Sequence, residues 1–165
     1  MKTSSLTSKR LKELLDYDPV TGVFLWREPR GHMREGSRAG SRTRQDGYVY
    51  IKIDCVLYRA SRLAWLHVHG KWPSGHIDHK NRNTSDDRMA NLRNASRSQN
   101  HANRKCPKSS TTMYKGVSKR GNRYRAYINK GGQRHWLGNF DEPAEAHQAY
   151  ITAARNLFGE FARSA

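Results

Sequence analysis

Between His76 and Arg104 the chain changes character in a fixed order, and that order limits its fold more than any other feature. His76-Ile-Asp-His79 alternates and contains a β-branched residue, as a short strand does. Lys80 to Ala90 holds no apolar side chain before Met89, so it reads as a loop. Leu92 to Ala95 can return as a second strand. Ser96-Arg-Ser-Gln99 is a capping box, which predicts a helix from about Arg97 with Asn100 in its first turn. Strand, loop, strand, helix is the resulting order.

Four polar residues punctuate it: Asp78 and His79 together, Asn91, then Asn100. Hydrolysis of a phosphodiester needs an activated water, a cation to absorb charge on phosphate and leaving oxygen, and a scaffold that aims both. These residue types can supply all three. A polyanionic partner is also what the charge implies, with 31 Lys and Arg against 14 Asp and Glu, a formal +17. The excess is 14 to 7 over residues 1–75, 8 to 3 over 76–112 and 9 to 4 over 113–165, so no single basic tail accounts for it. Nucleic acid fits such a spread better than a membrane surface.

Cys55 and Cys106 are far apart and form no Cys-x-x-Cys, which leaves neither a disulfide framework nor a four-cysteine zinc site. The N-terminal stretch lacks the apolar run of a signal peptide, and no segment reaches the ~20 apolar residues of a membrane span. A reducing, cytoplasmic setting without membrane contact is expected.

The rest of the chain predicts an α+β protein in small units. Leu6, Leu11, Leu14 and Leu15 predict a helix over residues 7–16, followed by a turn at 18–22 and a strand over Val23 to Trp26. Residues 27–46, with arginines 27, 30, 34, 38, 42 and 44 among glycines, read either as a mobile basic loop that orders on phosphate or as a solvated insertion. Two strands turning at Asp54-Cys55 and a helix with Leu63, Leu66 and Val68 follow, giving a supporting segment over residues 1–75. The central motif is expected over 76–106, a linker over 107–112, and a separate module over 113–165. In that module Arg123, Arg125 and Tyr127 alternate with Tyr124, Ala126 and Ile128. Gly131-Gly132 marks a hairpin to a strand bearing Arg134 and Trp136, and Pro143 opens a helix, so three antiparallel strands and one helix are predicted.

Arg62-Leu-Ala-Trp65, Trp72-Pro73, Ile77-Asp-His79, Asn91-Leu-Arg93 and Ser98-Gln-Asn100 resemble the phage-type HNH homing endonucleases, whose core is a ββα-metal finger. The resemblance implies that Asp78 and Asn100 are metal ligands, His79 is the general base, and Asn91 braces the loop that orients His79. It also implies a phage protein acting in a bacterial host. Ser61 departs from the family, which often has histidine there.

The chemistry agrees with those roles. A carboxylate with an amide oxygen makes a hard, open site suited to one Mg²⁺ or Mn²⁺, and histidine, which titrates near neutrality, suits the base. Such a site cuts one strand at a time and leaves 5′-phosphate and 3′-hydroxyl ends. Asn103 and Arg104 fall on the helical face of Asn100, and with Arg93 and Arg97 they are candidate phosphate contacts. A zinc site from His76, His79, His101 and Cys106 is the alternative use of this segment.

Tyr114-Lys-Gly-Val117, Trp136-Leu-Gly-Asn-Phe140, Ala144-Glu-Ala146 and Ala149-Tyr150 resemble the DNA-binding domain of plant ethylene-response factors. The resemblance implies that Lys115, Arg120, Arg134 and Trp136 read a DNA groove, with Ser118 standing where that family has an arginine. Alternation adds Arg123 and Arg125. The expected partner is double-stranded DNA, with no obligate protein partner and a monomer favoured over a dimer. A DNA-binding regulator without catalysis is the competing reading, and an RNA-binding protein a third.

Overall fold

The computed structural model describes residues 6–42, 45–104, 106 and 110–162. Arg44 and positions 107–109 of the expected linker lie outside them. Packing divides the chain into two units, Met1–Asn94 and Ala95–Ala165. The architecture is mixed α/β, with small sheets and four α-helices among the described residues.

The first unit opens with α1 (Ser8–Leu14), whose N-terminus is capped by Thr7 accepting from the Arg10 amide at 3.1 Å. The predicted helix stops two residues early because Leu15 enters a strand, β1 (Leu15–Asp18), that pairs antiparallel with β2 (Val23–Trp26). Asp18 closes the turn between them, its carboxylate accepting from the Val20 amide and the Thr21 hydroxyl. Residues 27–42 are ordered in part. β3 (Arg38–Ala39) adds to β2 and buries Ala39, and Arg30 pairs with Asp54.

β4 (Tyr50–Ile53) and β5 (Val56–Arg59) form a hairpin closed by Asp54 and Cys55, both left-handed, the backbone of a two-residue primed turn. α2 (Ala60–His69) then runs to a left-handed Gly70. Its Leu63, Ala64 and Leu66 sit in a core shared with Leu11, Leu15, Phe24, Ile51 and Ile53. Each buried leucine there contributes about 2 kcal/mol.

β6 (His76–His79) and β7 (Leu92–Ala95) pair as a two-stranded sheet, joined by a loop that ends in a 3₁₀ turn at Met89–Asn91. Their Ile77 and Leu92 belong to the same core. The two strands of the central motif are therefore anchored by N-terminal elements.

In the second unit β8 (Val117–Arg120), β9 (Arg123–Lys130) and β10 (Gln133–Phe140) form an antiparallel meander. Gly131 and Gly132 turn β9 into β10, both at positive φ, which glycine adopts without strain. α4 (Pro143–Phe158) starts on Pro143 and covers one sheet face with Ala146, Tyr150, Ala154 and Phe158. They pack on Val117, Ala126 and Ile128.

The helix expected to end the nuclease motif, α3 (Arg97–Asn103), packs in this unit. The capping box is present: Ser96 Oγ accepts from the Gln99 amide at 3.2 Å, and the Ser96 amide donates to Gln99 Oε1 at 2.8 Å. Seven residues do not sustain a helix alone. Ala102 therefore joins the cluster of Ile128, Tyr150, Ala154 and Phe158, Ser98 Oγ accepts from the Gly131 amide, and Lys115 Nζ donates to the carbonyls of His101, Ala102 and Arg104 at 2.6–2.8 Å. The helix ends at Asn103, and Arg104 is extended, so it does not share the helical face of Asn100.

Lys115 was expected on DNA, yet its ammonium caps the last turn of α3, where a cation also meets the negative end of the helix dipole. Lys115→Met keeps the stem and removes the donors. It is expected to destabilise the protein by about 1–3 kcal/mol in urea unfolding, while leaving the salt dependence of DNA binding unchanged.

Candidate active site

β6 delivers Asp78 and His79 to the end of a strand whose alternation would turn one of them to solvent. Both are nonetheless buried, at 5% and 4% exposure. Each has a charged partner that makes this tolerable. Arg93 on β7 donates to Asp78 Oδ2 from Nε at 2.9 Å and lies within 2.8 Å through Nη2. Its side chain is only 10% exposed, so Arg93, expected among the phosphate contacts, is committed to Asp78.

His79 Nε2 lies 3.0 Å from Oδ1 of Asp87, a carboxylate that is itself 3% exposed. Burial pushes the Asp87 carboxyl above the ordinary carboxylate range, against the pull of His79. The Tyr48 ring stands 5.8 Å from the His79 ring, and the Arg59 guanidinium stacks on Tyr48 at 3.9 Å.

Asn91 holds the loop between the two strands. Its Oδ1 accepts from the Asn81 amide at 3.0 Å, its Nδ2 donates to Asn81 Oδ1 and to the Asp86 carbonyl, and its own carbonyl accepts from the Lys80 amide. Asp86 is fixed in turn by Arg88 and Asn81, and the Arg88 bond draws its carboxyl down to about 2.

In the second unit Asn100 is half-buried on α3, Arg97 and Arg104 are exposed, and Asn103 is buried, which removes it from the surface where a phosphate contact would be made. Cross-strand pairing places Arg120, Arg123, Arg125, Tyr127, Arg134 and Trp136 on the sheet face opposite α4. Trp136 is 69% exposed, Arg134 stacks over Tyr127 at 4.4 Å, and Arg123 pairs with Asp141 at the rim. Among the described residues no three His, Cys, Asp or Glu come together as metal ligands, so the geometry gives the zinc alternative no support.

The sequence pattern of an HNH endonuclease family matches residues 58–102. Protein 3.8 of Escherichia phage T7 is 35% identical over 112 residues, covering 64% of this chain and 92% of the phage protein. Residues 58–102 are an HNH endonuclease domain. The chain is also similar to an uncharacterized HNH endonuclease of Acanthamoeba polyphaga mimivirus, at 38% identity over 99 residues, 59% of this chain but only about half, 51%, of that relative.

Within this HNH segment, Asp87 is the residue that sequence reasoning missed. Burial of a carboxylate inside a polar loop leaves no periodic signal, and its only trace was an aspartate close to a histidine in sequence. For the loop itself, Asn91→Ala removes three side-chain hydrogen bonds and is expected to lower unfolding free energy by about 2–4 kcal/mol in urea titration.

Proposed function

We propose that the chain is a metal-dependent DNA endonuclease of the phage homing type that hydrolyses one strand per active site. The observation that carries this reading is the buried Asp78-His79 pair, held by Arg93 and Asp87 beside a loop braced by Asn91, within the segment that matches the HNH family.

In this mechanism His79 accepts the proton of the attacking water as its oxygen bonds to phosphorus and the bond to the 3′ oxygen breaks. The products carry 5′-phosphate and 3′-hydroxyl ends. Asp78 and Asn100 would hold the metal. Asp78 fits that role as a buried, charge-compensated carboxylate, and with an amide oxygen it makes a hard donor set for one Mg²⁺ or Mn²⁺. When bound, such an ion supplies charge neutralisation at the phosphate and at the departing oxygen. Asn91 keeps the loop closed against β7, and Arg97 and Arg104 supply phosphate contacts.

The C-terminal sheet is the selecting surface in this reading, an ethylene-response-factor-like domain that lays its strands on duplex DNA. An exposed tryptophan and a tyrosine-stacked arginine on one basic face support it, since arginine can read guanine edges and phosphate contacts give position. No helix among the described residues is long and apolar enough to cross a membrane. The chain would act as a monomer, in the cytoplasm of a phage-infected host.

Purified protein incubated with supercoiled plasmid is expected to nick it with Mg²⁺ and not after chelation, and His79→Ala should lose at least about 100-fold in rate. Tight binding without cleavage under any divalent ion would leave a non-catalytic DNA-binding regulator as the function. Arg134→Ala with Trp136→Ala should weaken selection among sites by about tenfold while sparing slow non-specific cleavage. Unchanged site preference would remove the sheet from recognition.

A further inference from the structure

We propose that Asp87 is a positioning residue for His79, accepting its Nε2 proton so that Nδ1 is the nitrogen that takes the proton from water. This rests on His79 as the general base. The two groups are 3.0 Å apart and almost fully enclosed, so the geometry of the pair is set by packing. An ionised carboxylate only accepts hydrogen bonds, and its partner nitrogen must carry the hydrogen. In the neutral ring that leaves the lone pair on Nδ1.

The backbone around Asp87 is held from outside the segment that matches the HNH family. Tyr17 on β1 donates its hydroxyl to the Asp87 carbonyl at 2.6 Å, and the Met89 amide donates to the Pro19 carbonyl at 3.0 Å. Gly22, at positive φ, lies so close that a Cβ there would stand 2.5 Å from the Arg88 nitrogen and 2.6 Å from the Asp87 carbonyl carbon. Backbone presses on backbone at that point, so neither side can give. The N-terminal hairpin thus fixes the peptide that carries Asp87, and Asp87 fixes the imidazole.

The reaction balances without a further reactant. Water oxygen bonds to phosphorus, the phosphorus to O3′ bond breaks, and the water proton moves to Nδ1. The resulting imidazolium is stabilised by Asp87 on its other nitrogen. Solvent then protonates the 3′ alkoxide and takes the proton back from His79.

The test uses the full chain labelled with ¹⁵N-histidine, with the His79 signals assigned by their loss in His79→Ala. Metal-free wild type is expected to show the Nε2–H tautomer, and Asp87→Leu, which keeps the branching and removes the acceptor, should shift His79 toward Nδ1–H. In plasmid cleavage Asp87→Leu should lose on the order of 100-fold in kcat with KM for DNA unchanged. An Nδ1–H tautomer in wild type overturns the inference, and that measurement stands even if Asp87→Leu does not fold. So does an Asp87→Leu rate within about threefold of wild type. If His79→Ala cleaves at the wild-type rate, the general-base reading itself fails. A strict need for His79 with indifference to Asp87 fails only the positioning role.

Discussion

A loop with no apolar side chains has nothing to bury, and the site depends on how this one is nevertheless held. Residues 80–88 cannot fold by hydrophobic contact, so their conformation must come from hydrogen bonds that water would otherwise satisfy. Asn91 supplies them: one amide side chain joins the start of the loop, through Asn81, to its far end at the Asp86 carbonyl. With both ends fixed by one residue, Asp87 falls where it can meet His79. Such bonds are individually worth about 1 kcal/mol, but breaking any of them strands a partly buried partner, which costs more.

Two neighbours stabilise the motif from opposite ends of the chain. The N-terminal elements contribute the core under β6 and β7, and the β1–β2 hairpin the contacts of Tyr17, Pro19 and Gly22 to the loop. The C-terminal unit contributes Ala102, Lys115 and the Gly131 amide to α3. A short strand pair and a seven-residue helix have too little apolar surface to be stable separately. The burial that the strand pair and α3 lack comes from these neighbours.

Local patterns carried much of the fold. β6 and β7 begin and end where the order of strand, loop and strand placed them, and the capping box at Ser96 and Gln99 is formed. Those signals depend on neighbours one to three residues away. β1 departs from the expected helix because Leu15 continues the leucine spacing of α1 and becomes a strand only by pairing with β2. β3 escaped for the same reason, a two-residue strand defined by its partner.

At the site, Asp78 and His79 were conspicuous as a dipeptide, but the cations and carboxylates that make their burial possible were not. Arg93, expected as a phosphate contact, pairs with Asp78. Lys115, expected in a DNA groove, donates to three carbonyls at the end of α3. A lysine or arginine in a basic chain carries no sequence mark that separates a surface charge from a structural cap.

That ambiguity bears on where selectivity can reside in the proposed nuclease. A charge of +17 shared among all segments attracts any polyanion and discriminates little. Discrimination needs side chains with fixed direction, which bulk charge alone does not give. Arg134 is different, because stacking on Tyr127 limits its rotamers, and Tyr127 is paired across the strands with Trp136. A large aromatic left 69% exposed forgoes about 2 kcal/mol of burial in the free protein. That surface is recovered only when something covers it, and the arginines around it favour a partner that brings negative charge. The exposed tryptophan and the stacked arginine therefore argue for the same occupant of the sheet, and they do so by packing and direction, which the bulk charge lacks.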